Sequence, residues 1–172
     1  MGKVFFRGVA VTTNGEVPKK GEKAPEFLLT GPNMGITSLD DFGKVKKVIN
    51  IFPSIDTEVC ALSVKKFHDV LANDKSIVVL NVSKDLPFAQ VRFCAVEELE
   101  NIEVLSAFRG NFSEAYGAEM TSGPLAGLLS RTVIVLDEEN TVTYVQQCEE
   151  ITQEIDYDKV LESLGKFSSS TS

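Results

Sequence analysis

The sequence contains no tryptophan, one histidine and three cysteines in 172 residues. It also lacks any apolar run near the roughly 18 residues that a membrane-spanning helix requires, so we expect no membrane span. It has no block of Lys or Arg, and its formal net charge is −8, which makes nucleic acids and anionic lipids poor partners. The first residues lack the apolar stretch and cleavage site of a signal peptide, and we therefore predict a cytoplasmic protein.

The cysteines, Cys60, Cys94 and Cys148, are odd in number and widely spaced. This pattern is not that of a secreted disulfide framework. In a reducing compartment such cysteines are inert, catalytic or redox-sensing. The cysteines and the single histidine do not show the paired spacing of a metal site, so we expect no bound metal. The C-x-x-C motif of dithiol oxidoreductases is absent as well.

The composition is that of a folded protein with one core. Hydrophobic residues make up 43% and charged residues 24% of the chain, and both fractions are ordinary. We predict a single domain over residues 1–167 and a disordered Ser-rich tail over residues 168–172. The β-prone segment Val4–Val11 leads to Asn14-Gly15, a favoured hairpin turn, and this predicts an N-terminal hairpin.

From residue 45 onward, predicted strands alternate with predicted helices. This alternation is typical of a layered α/β domain, and two consecutive strands near its end predict an antiparallel pair in a mixed sheet. After the hairpin, the predicted strands cover residues 27–29, 45–52, 76–83, 102–107, 132–136 and 141–147. The predicted helices cover residues 57–72, 87–98, 112–116 and 156–167, and a short helical turn covers residues 38–42.

Cys60 occupies the third position of a predicted helix whose N-cap is Thr57. The unpaired N–H groups and the positive end of the helix dipole favour an ionised sulfur there, which is the nucleophilic form. The Thr57 hydroxyl can also donate to that sulfur. An inert core cysteine remains an alternative, because Cys60 begins an apolar stripe at helical spacing. The other members of that stripe are Val64, Phe67 and Leu71.

His68, the single histidine, is excluded as a general base for Cys60. It lies eight residues further along the same predicted helix, which places it about 12 Å away along the helix axis. A Cys–His hydrolase dyad within one chain is therefore excluded.

Cys94 lies on the next predicted helix, which has an apolar stripe of its own. At about 100° per residue, Cys94 falls at the edge of that stripe, which we expect to be buried. The pattern alone is compatible with a small, half-buried filler residue. The stripe consists of Phe88, Val91, Ala95 and Leu99.

Pro53, Thr57 and Cys60 form the pattern P-x-x-x-T-x-x-C. This pattern resembles the peroxidatic motif of the peroxiredoxin family. The run Asp85-Leu86-Pro87-Phe88-Ala89-Gln90, followed by Arg92-Phe93-Cys94, is similar to the resolving-cysteine segment of bacterial thiol peroxidases, the atypical 2-Cys subfamily. The resemblance covers the whole chain except the Ser-rich tail. Further matching stretches are Leu105-Ser106, Phe108-Arg109-Gly110, residues 123–128, Arg131 and Glu150-Ile151-Thr152.

The resemblance implies a thioredoxin-like fold, with a mixed central sheet flanked by helices and an N-terminal β-hairpin extension. It implies a homodimer that reduces hydrogen peroxide and organic hydroperoxides without metal, haem or flavin. By motif, Cys60 is the peroxidatic cysteine and Cys94 the resolving one. The same match has Thr57 orient thiolate and peroxide, Pro53 shield the pocket and Arg131 stabilise the thiolate. Thioredoxin then restores the dithiol.

An alternative from another class is a thioredoxin-like redox sensor or binding protein that uses the same disulfide. The sequence departs from the family at Glu58, where proline is common, and at Ala95, where glycine is common. A carboxylate at position 58 disfavours a thiolate nearby. Cys148 matches no catalytic position, which leaves a small strand residue or an accessory redox site. Because Cys60 and Cys94 lie on separate helices, we expect their bridge to require local unwinding.

Overall fold

Hydrophobic strands with alternating side-chain directions form the centre of the protein. The computed structural model describes residues 2–71, 74–99 and 103–165. Its strands are β1 (Lys3–Phe6), β2 (Val9–Thr12), β3 (Leu28–Thr30), β4 (Ile36–Ser38), β5 (Lys46–Ile51), β6 (Ile77–Ser83), β7 (Glu103–Ser106), β8 (Thr132–Leu136) and β9 (Val142–Gln147). Its α-helices are α1 (Glu58–Leu71), α2 (Pro87–Val96), α3 (Phe112–Tyr116) and α4 (Tyr157–Ser163), and a 3₁₀ helix spans Leu39–Phe42.

Among the described residues, seven strands form one sheet in the order β4-β3-β7-β6-β5-β8-β9. Strands β5, β6 and β7 are parallel, whereas β8 and β9 on one side and β3 and β4 on the other run antiparallel to their neighbours. The predicted mixed sheet is therefore confirmed. The two parallel connections contain α1 and α2, so the loops that begin these helices lie together at the carboxyl ends of β5 and β6.

The central strands are buried on both faces, and alternate residues enter different cores. Val48 of β5 joins Phe67 of α1 and Val160 of α4 in one cluster. Ile49 and Ile51 join the cluster on the opposite face, which contains both aromatic residues of α3. Burial on both faces explains why these strands appear in the sequence as continuous apolar runs.

The register between β5 and β8 sets the surroundings of the site. Ile51, the last residue of β5, pairs with Thr132, the first residue of β8. Because the pair is antiparallel, the residues that precede Thr132 lie beside the chain that leaves β5. Arg131 is thereby brought close to the loop that leads into α1.

Most predicted elements are found within a few residues of their expected bounds, and α3 has the predicted ones. Parts of three predictions, at residues 72, 102 and 166–167, lie outside the described residues, as does the predicted tail at 168–172. In the described part of the chain, no helix has both the length and the apolarity that a bilayer span requires.

The N-terminal hairpin forms as β1 and β2, but the predicted turn is wrong. The two-residue loop is Arg7-Gly8, with φ of 51° and 81°, and two positive φ values are what a tight type I′ turn requires. Asn14-Gly15 lies beyond β2, where the Asn14 side chain donates to the Ser113 carbonyl and accepts from the Glu119 N–H. Those tertiary hydrogen bonds hold the Asn-Gly pair outside the hairpin.

The predicted buried stripe of α2 is wrong for three of its four members. Phe88 is 67% exposed and Val91 45% exposed, and Ala95 is exposed as well. The helix instead buries Gln90, whose Nε2 donates to Ser83 Oγ at 3.2 Å and to the Leu105 carbonyl at 2.9 Å. These polar contacts to two strands fix the rotation of α2, so the three members of the stripe within the helix face outward. Leu99, which follows the helix, is half-buried and packs against the cluster that contains Cys60.

Glu150 fastens the hairpin turn to the rest of the molecule. Its carboxylate accepts hydrogen bonds from the backbone N–H groups of Arg7 and Gly8 at 3.1 and 2.9 Å. It also accepts from the N–H and hydroxyl of Thr152 at 3.1 and 2.9 Å. Desolvation raises the pKa of this carboxyl, but the hydrogen bonds from Gly8, Thr152 and Arg7 outweigh it and hold the pKa at about 2.

We predict that Glu150 contributes to stability in a pH-dependent way. A carboxyl whose folded pKa is depressed stabilises the fold above its unfolded pKa, near 4.3, and loses this contribution as the pH falls toward about 2. The difference in unfolding free energy between wild type and Glu150→Gln should be constant near neutral pH and shrink below about pH 4.3. Urea unfolding at a series of pH values measures it, with the exposed neighbour Glu149→Gln as control. A difference that does not vary with pH would contradict this role.

Candidate active site

Cys60 lies in the first turn of α1, as the sequence predicts. The helix begins at Glu58, and the Thr57 carbonyl accepts the hydrogen bond of the Ala61 N–H at 2.9 Å. Cys60 has no exposed surface and packs with Phe52, Ile55 and Val64. On packing alone it resembles an inert core cysteine. The polar group that contacts its sulfur distinguishes it from one.

Arg131 is that polar group. Its Nη2 donates to Cys60 Sγ at 3.2 Å, and its Nε donates to the Ile151 carbonyl at 2.8 Å. The residue is 3% exposed, and its Nη1 is buried without an acceptor among the described residues. A buried guanidinium is costly to keep without a paired anion. The arrangement therefore holds a permanent positive charge against the sulfur and leaves part of its donor capacity unused.

Thr57 does not contact the sulfur in the predicted way. Its hydroxyl donates to the Ser54 carbonyl at 3.0 Å, so the expected donation to Cys60 Sγ is not found. A hydroxyl has one proton to donate, and the tight turn before α1 uses it. Thr57 remains beside the site, because it lines the pocket described next.

A pocket of about 350 Å³ lies over the start of α1. Cys60 is not part of its surface, whereas Pro53, Thr57 and Arg131 are. The sulfur therefore lies directly behind residues that line the pocket. One part of the wall is apolar and comes from four separate segments of the chain. It consists of Phe6, Val59, Leu125, Leu128 and Ile151.

The sequence does not predict that the hairpin contributes to this wall. Phe6 and Arg7 reach the pocket because Glu150 holds their turn in place, and no local pattern indicates that long-range contact. The two departures from the family pattern both lie at the surface. Glu58 is exposed at the pocket, and Ala95 is exposed on α2.

Cys94 is half-buried on α2 and is a free thiol, as are Cys60 and Cys148. Burial raises the pKa of the Cys94 thiol above its ordinary value, so the thiol is protonated at neutral pH. The helix is close to the Cys60 region, because the adjacent residue Phe93 packs against the cluster around Cys60. The two cysteines thus belong to neighbouring helices but are not bonded to each other.

Cys148 and His68 lie outside the pocket. Cys148 follows β9, is buried, and its backbone N–H donates to the Arg131 carbonyl at 2.9 Å. Burial raises the pKa of its thiol to about 11, although the positive charge of Arg131 acts in the opposite direction. His68 is half-buried, with Nδ1 3.3 Å from Asp69 Oδ1. Both residues are placed as parts of the framework.

Comparison with known proteins agrees with this geometry. Residues 19–161 match the family model described as Redoxin. The thiol peroxidases of Corynebacterium glutamicum and Mycobacterium tuberculosis are each 47% identical over 165 residues, or 96% of this chain, and this match covers 100% and 99% of their own lengths.

Solved structures give the same result. A peroxiredoxin-like protein from Aquifex aeolicus superposes with a TM-score of 0.88 at 38% identity. A thiol peroxidase from Chromobacterium violaceum superposes with a TM-score of 0.85 at 25% identity. In both cases 95% of each chain is covered. The expected thioredoxin-like fold and peroxidase activity are confirmed, and the chain belongs to the Redoxin family and, within it, to the thiol peroxidases.

Proposed function

We propose that this thiol peroxidase reduces hydrogen peroxide and organic hydroperoxides through Cys60 and Cys94, with thioredoxin as the reductant. The contact between Arg131 and the Cys60 sulfur, 3.2 Å long at a helix N-terminus, carries the proposal. A cysteine beside a fixed cation and unpaired backbone N–H groups is suited to react as a thiolate. The alternative, a redox sensor with the same disulfide, differs in lacking catalytic turnover.

The first step oxidises Cys60. The thiolate attacks the distal oxygen of the peroxide, an S–O bond forms and the O–O bond breaks. The leaving hydroxide or alkoxide takes up a proton, and the sulfur becomes a sulfenic acid. Arg131 and the N–H groups at the start of α1 stabilise the negative charge that moves onto the leaving oxygen. Pro53, which is buried beside the pocket, keeps water from the sulfur.

The apolar wall of the pocket supports organic hydroperoxides as substrates. Its side chains Phe6, Leu125 and Leu128 offer contact to a hydrocarbon group but no hydrogen-bond donor. Each Å² of apolar substrate surface that this wall removes from water contributes about 25 cal/mol to the free energy of binding. The polar end of the same pocket, at Arg131 and Thr57, receives the peroxide group, which Thr57 helps to orient.

The second step joins Cys60 and Cys94. The Cys94 sulfur attacks the sulfenic sulfur, an S–S bond forms, the S–O bond breaks and water leaves with the proton of the thiol. Because both cysteines start on packed helices, this step requires local opening of α1, α2 or both. A dithiol such as that of thioredoxin then reduces the disulfide by exchange. We propose further that the protein acts in the cytoplasm as a homodimer.

Cys60→Ser should abolish turnover, because serine supplies no thiolate at this position. NADPH oxidation, coupled through thioredoxin reductase and thioredoxin, measures turnover with hydrogen peroxide and with cumene hydroperoxide. Cys148→Ala is the matched control and should retain activity within about twofold, since its thiol is buried and protonated. Substantial activity of Cys60→Ser would overturn the assignment, and a wild type that forms its disulfide without turning over would favour the sensor.

Arg131→Ala should slow the oxidation of Cys60 by about ten- to a hundredfold, because a hydrogen bond to a charged group is worth about 1.5–3 kcal/mol. Rapid-quench kinetics with hydrogen peroxide, followed by mass spectrometry, measures this step alone. Arg109→Ala is a suitable control, because that guanidinium contacts Thr30 and Met34 instead. An Arg131→Ala protein as fast as wild type would show that the arginine has only a structural role.

Cys94→Ser should consume about one equivalent of peroxide and stop at a Cys60 sulfenic acid, which dimedone traps. Multiple turnovers of Cys94→Ser with thioredoxin as sole reductant would contradict the resolving role.

In wild type, disulfide formation should accelerate from pH 7 to about pH 9, because burial raises the pKa of the Cys94 thiol and little thiolate is present at neutral pH. Non-reducing electrophoresis of the oxidised wild type should show monomers, since the bridge lies within one chain.

A further inference from the structure

The carboxylate of Asp85 reaches from the loop before α2 to the loop before α1. Its Oδ1 accepts a hydrogen bond from Ser54 Oγ at 2.7 Å, and its Oδ2 accepts one from the Ile55 N–H at 2.6 Å. Both donors belong to the segment between β5 and the peroxidatic cysteine. Asp85 itself lies two residues before Pro87, where the helix of Cys94 begins.

Ser54 and Ile55 are connected directly to the start of α1. The Ser54 carbonyl accepts from both the hydroxyl and the N–H of Thr57, at 3.0 and 3.2 Å. The Ser54 hydroxyl also accepts from the Asp56 N–H at 3.1 Å. The side chain of Ile55 packs in the same cluster as Cys60. A displacement of this loop from Asp85 therefore disturbs both the cap of α1 and the packing of the sulfur.

On the other side, Asp85 is fixed to the sheet. Ser83 Oγ donates to Asp85 Oδ2 at 2.6 Å, and Ser106 Oγ donates to the Asp85 carbonyl. Ser83 Oγ also accepts from Gln90 Nε2 of α2. Asp85 thus joins the end of β6 to Ser54 and Ile55 through its carboxylate, and its main-chain carbonyl adds a contact to the end of β7. Gln90 connects the first turns of α2 to the same group through Ser83.

We infer that Asp85 is a positioning residue that couples the two cysteine-bearing segments. While Asp85 holds Ser54 and Ile55, the start of α1 stays packed as in this structure, which we call the closed state. In this state Cys60 is held against Arg131 for reaction with peroxide. Release of these donors is part of the opening that lets Cys60 meet Cys94. The inference rests on the proposed function, because it assigns Asp85 to the transition between the two steps proposed above.

The chemistry of the carboxylate suits this role. Its two oxygens accept from three donors, the Ser54 hydroxyl, the Ile55 N–H and the Ser83 hydroxyl. An asparagine has one acceptor oxygen and an NH₂ group that only donates. Asp85→Asn therefore keeps the size of the side chain while leaving at least one of these donors without its acceptor. The variant should loosen the loop without removing its packing.

The test follows the two steps separately by rapid quench, alkylation and mass spectrometry after mixing with hydrogen peroxide. We expect Asp85→Asn to slow Cys60 oxidation by about tenfold, because tenfold in rate corresponds to about 1.4 kcal/mol, close to the free energy of one hydrogen bond to a charged group. We expect the same variant to accelerate disulfide formation by about threefold, because the closed state that opposes it is weakened. Ser54→Ala, which removes one donor, should shift both rates in the same directions by smaller factors.

Asp56→Asn is the matched control, because it removes an exposed carboxylate from the same loop without touching the Asp85 contacts; both of its rates should equal those of wild type. If Asp85 has a structural role without coupling, the two steps slow together or neither step changes. Either of these results, found in Asp85→Asn and also in Ser54→Ala, would overturn the inference. A wild type that forms no disulfide between Cys60 and Cys94 would overturn the proposed function itself. A wild type that resolves normally, beside unaltered variants, overturns only the role of Asp85.

Discussion

The hydrogen bond from Arg131 to the Cys60 sulfur joins residues 71 positions apart in the sequence, and much of the architecture serves to maintain it. The pairing of Ile51 with Thr132 brings the start of β8 beside the exit of β5. The Ile151 carbonyl then fixes the guanidinium through Nε. Because a buried cation is tolerated only with well-placed partners, the register of the sheet and the segment around residue 151 are both constraints on the reactive centre.

The same packing keeps the centre closed. Cys60 has no exposed surface, and burial leaves the Cys94 thiol protonated at neutral pH. Under the proposed function, Cys60 and Cys94 therefore stay apart until the loops at the ends of β5 and β6 move. Asp85 connects these two loops through Ser54 and Ile55. A displacement of one loop therefore breaks hydrogen bonds to the other.

The sequence predicts the elements well, since β5, β6 and β8 are dense apolar runs and α1 begins at a polar turn that ends in Thr57. It fails where tertiary contacts override local preference. Asn14-Gly15 is held by Ser113 and Glu119 rather than by a hairpin, and Gln90 turns the apolar stripe of α2 outward. Arg131 was identified only by resemblance, because no spacing indicates a contact across the sheet. The contacts of Asp85 and Glu150 depend on the same long-range geometry and were not predicted.

Peptide mapping of the wild-type protein after about one equivalent of hydrogen peroxide, under non-reducing conditions, locates the oxidised sulfurs directly. The proposed mechanism predicts one intramolecular disulfide between the peptides that contain Cys60 and Cys94, with Cys148 still free. A bridge between Cys60 and Cys148 would contradict the resolving role of Cys94. Oxidation of Cys94 while Cys60 remains a thiol would contradict the assignment of Cys60 as the residue that Arg131 prepares for peroxide.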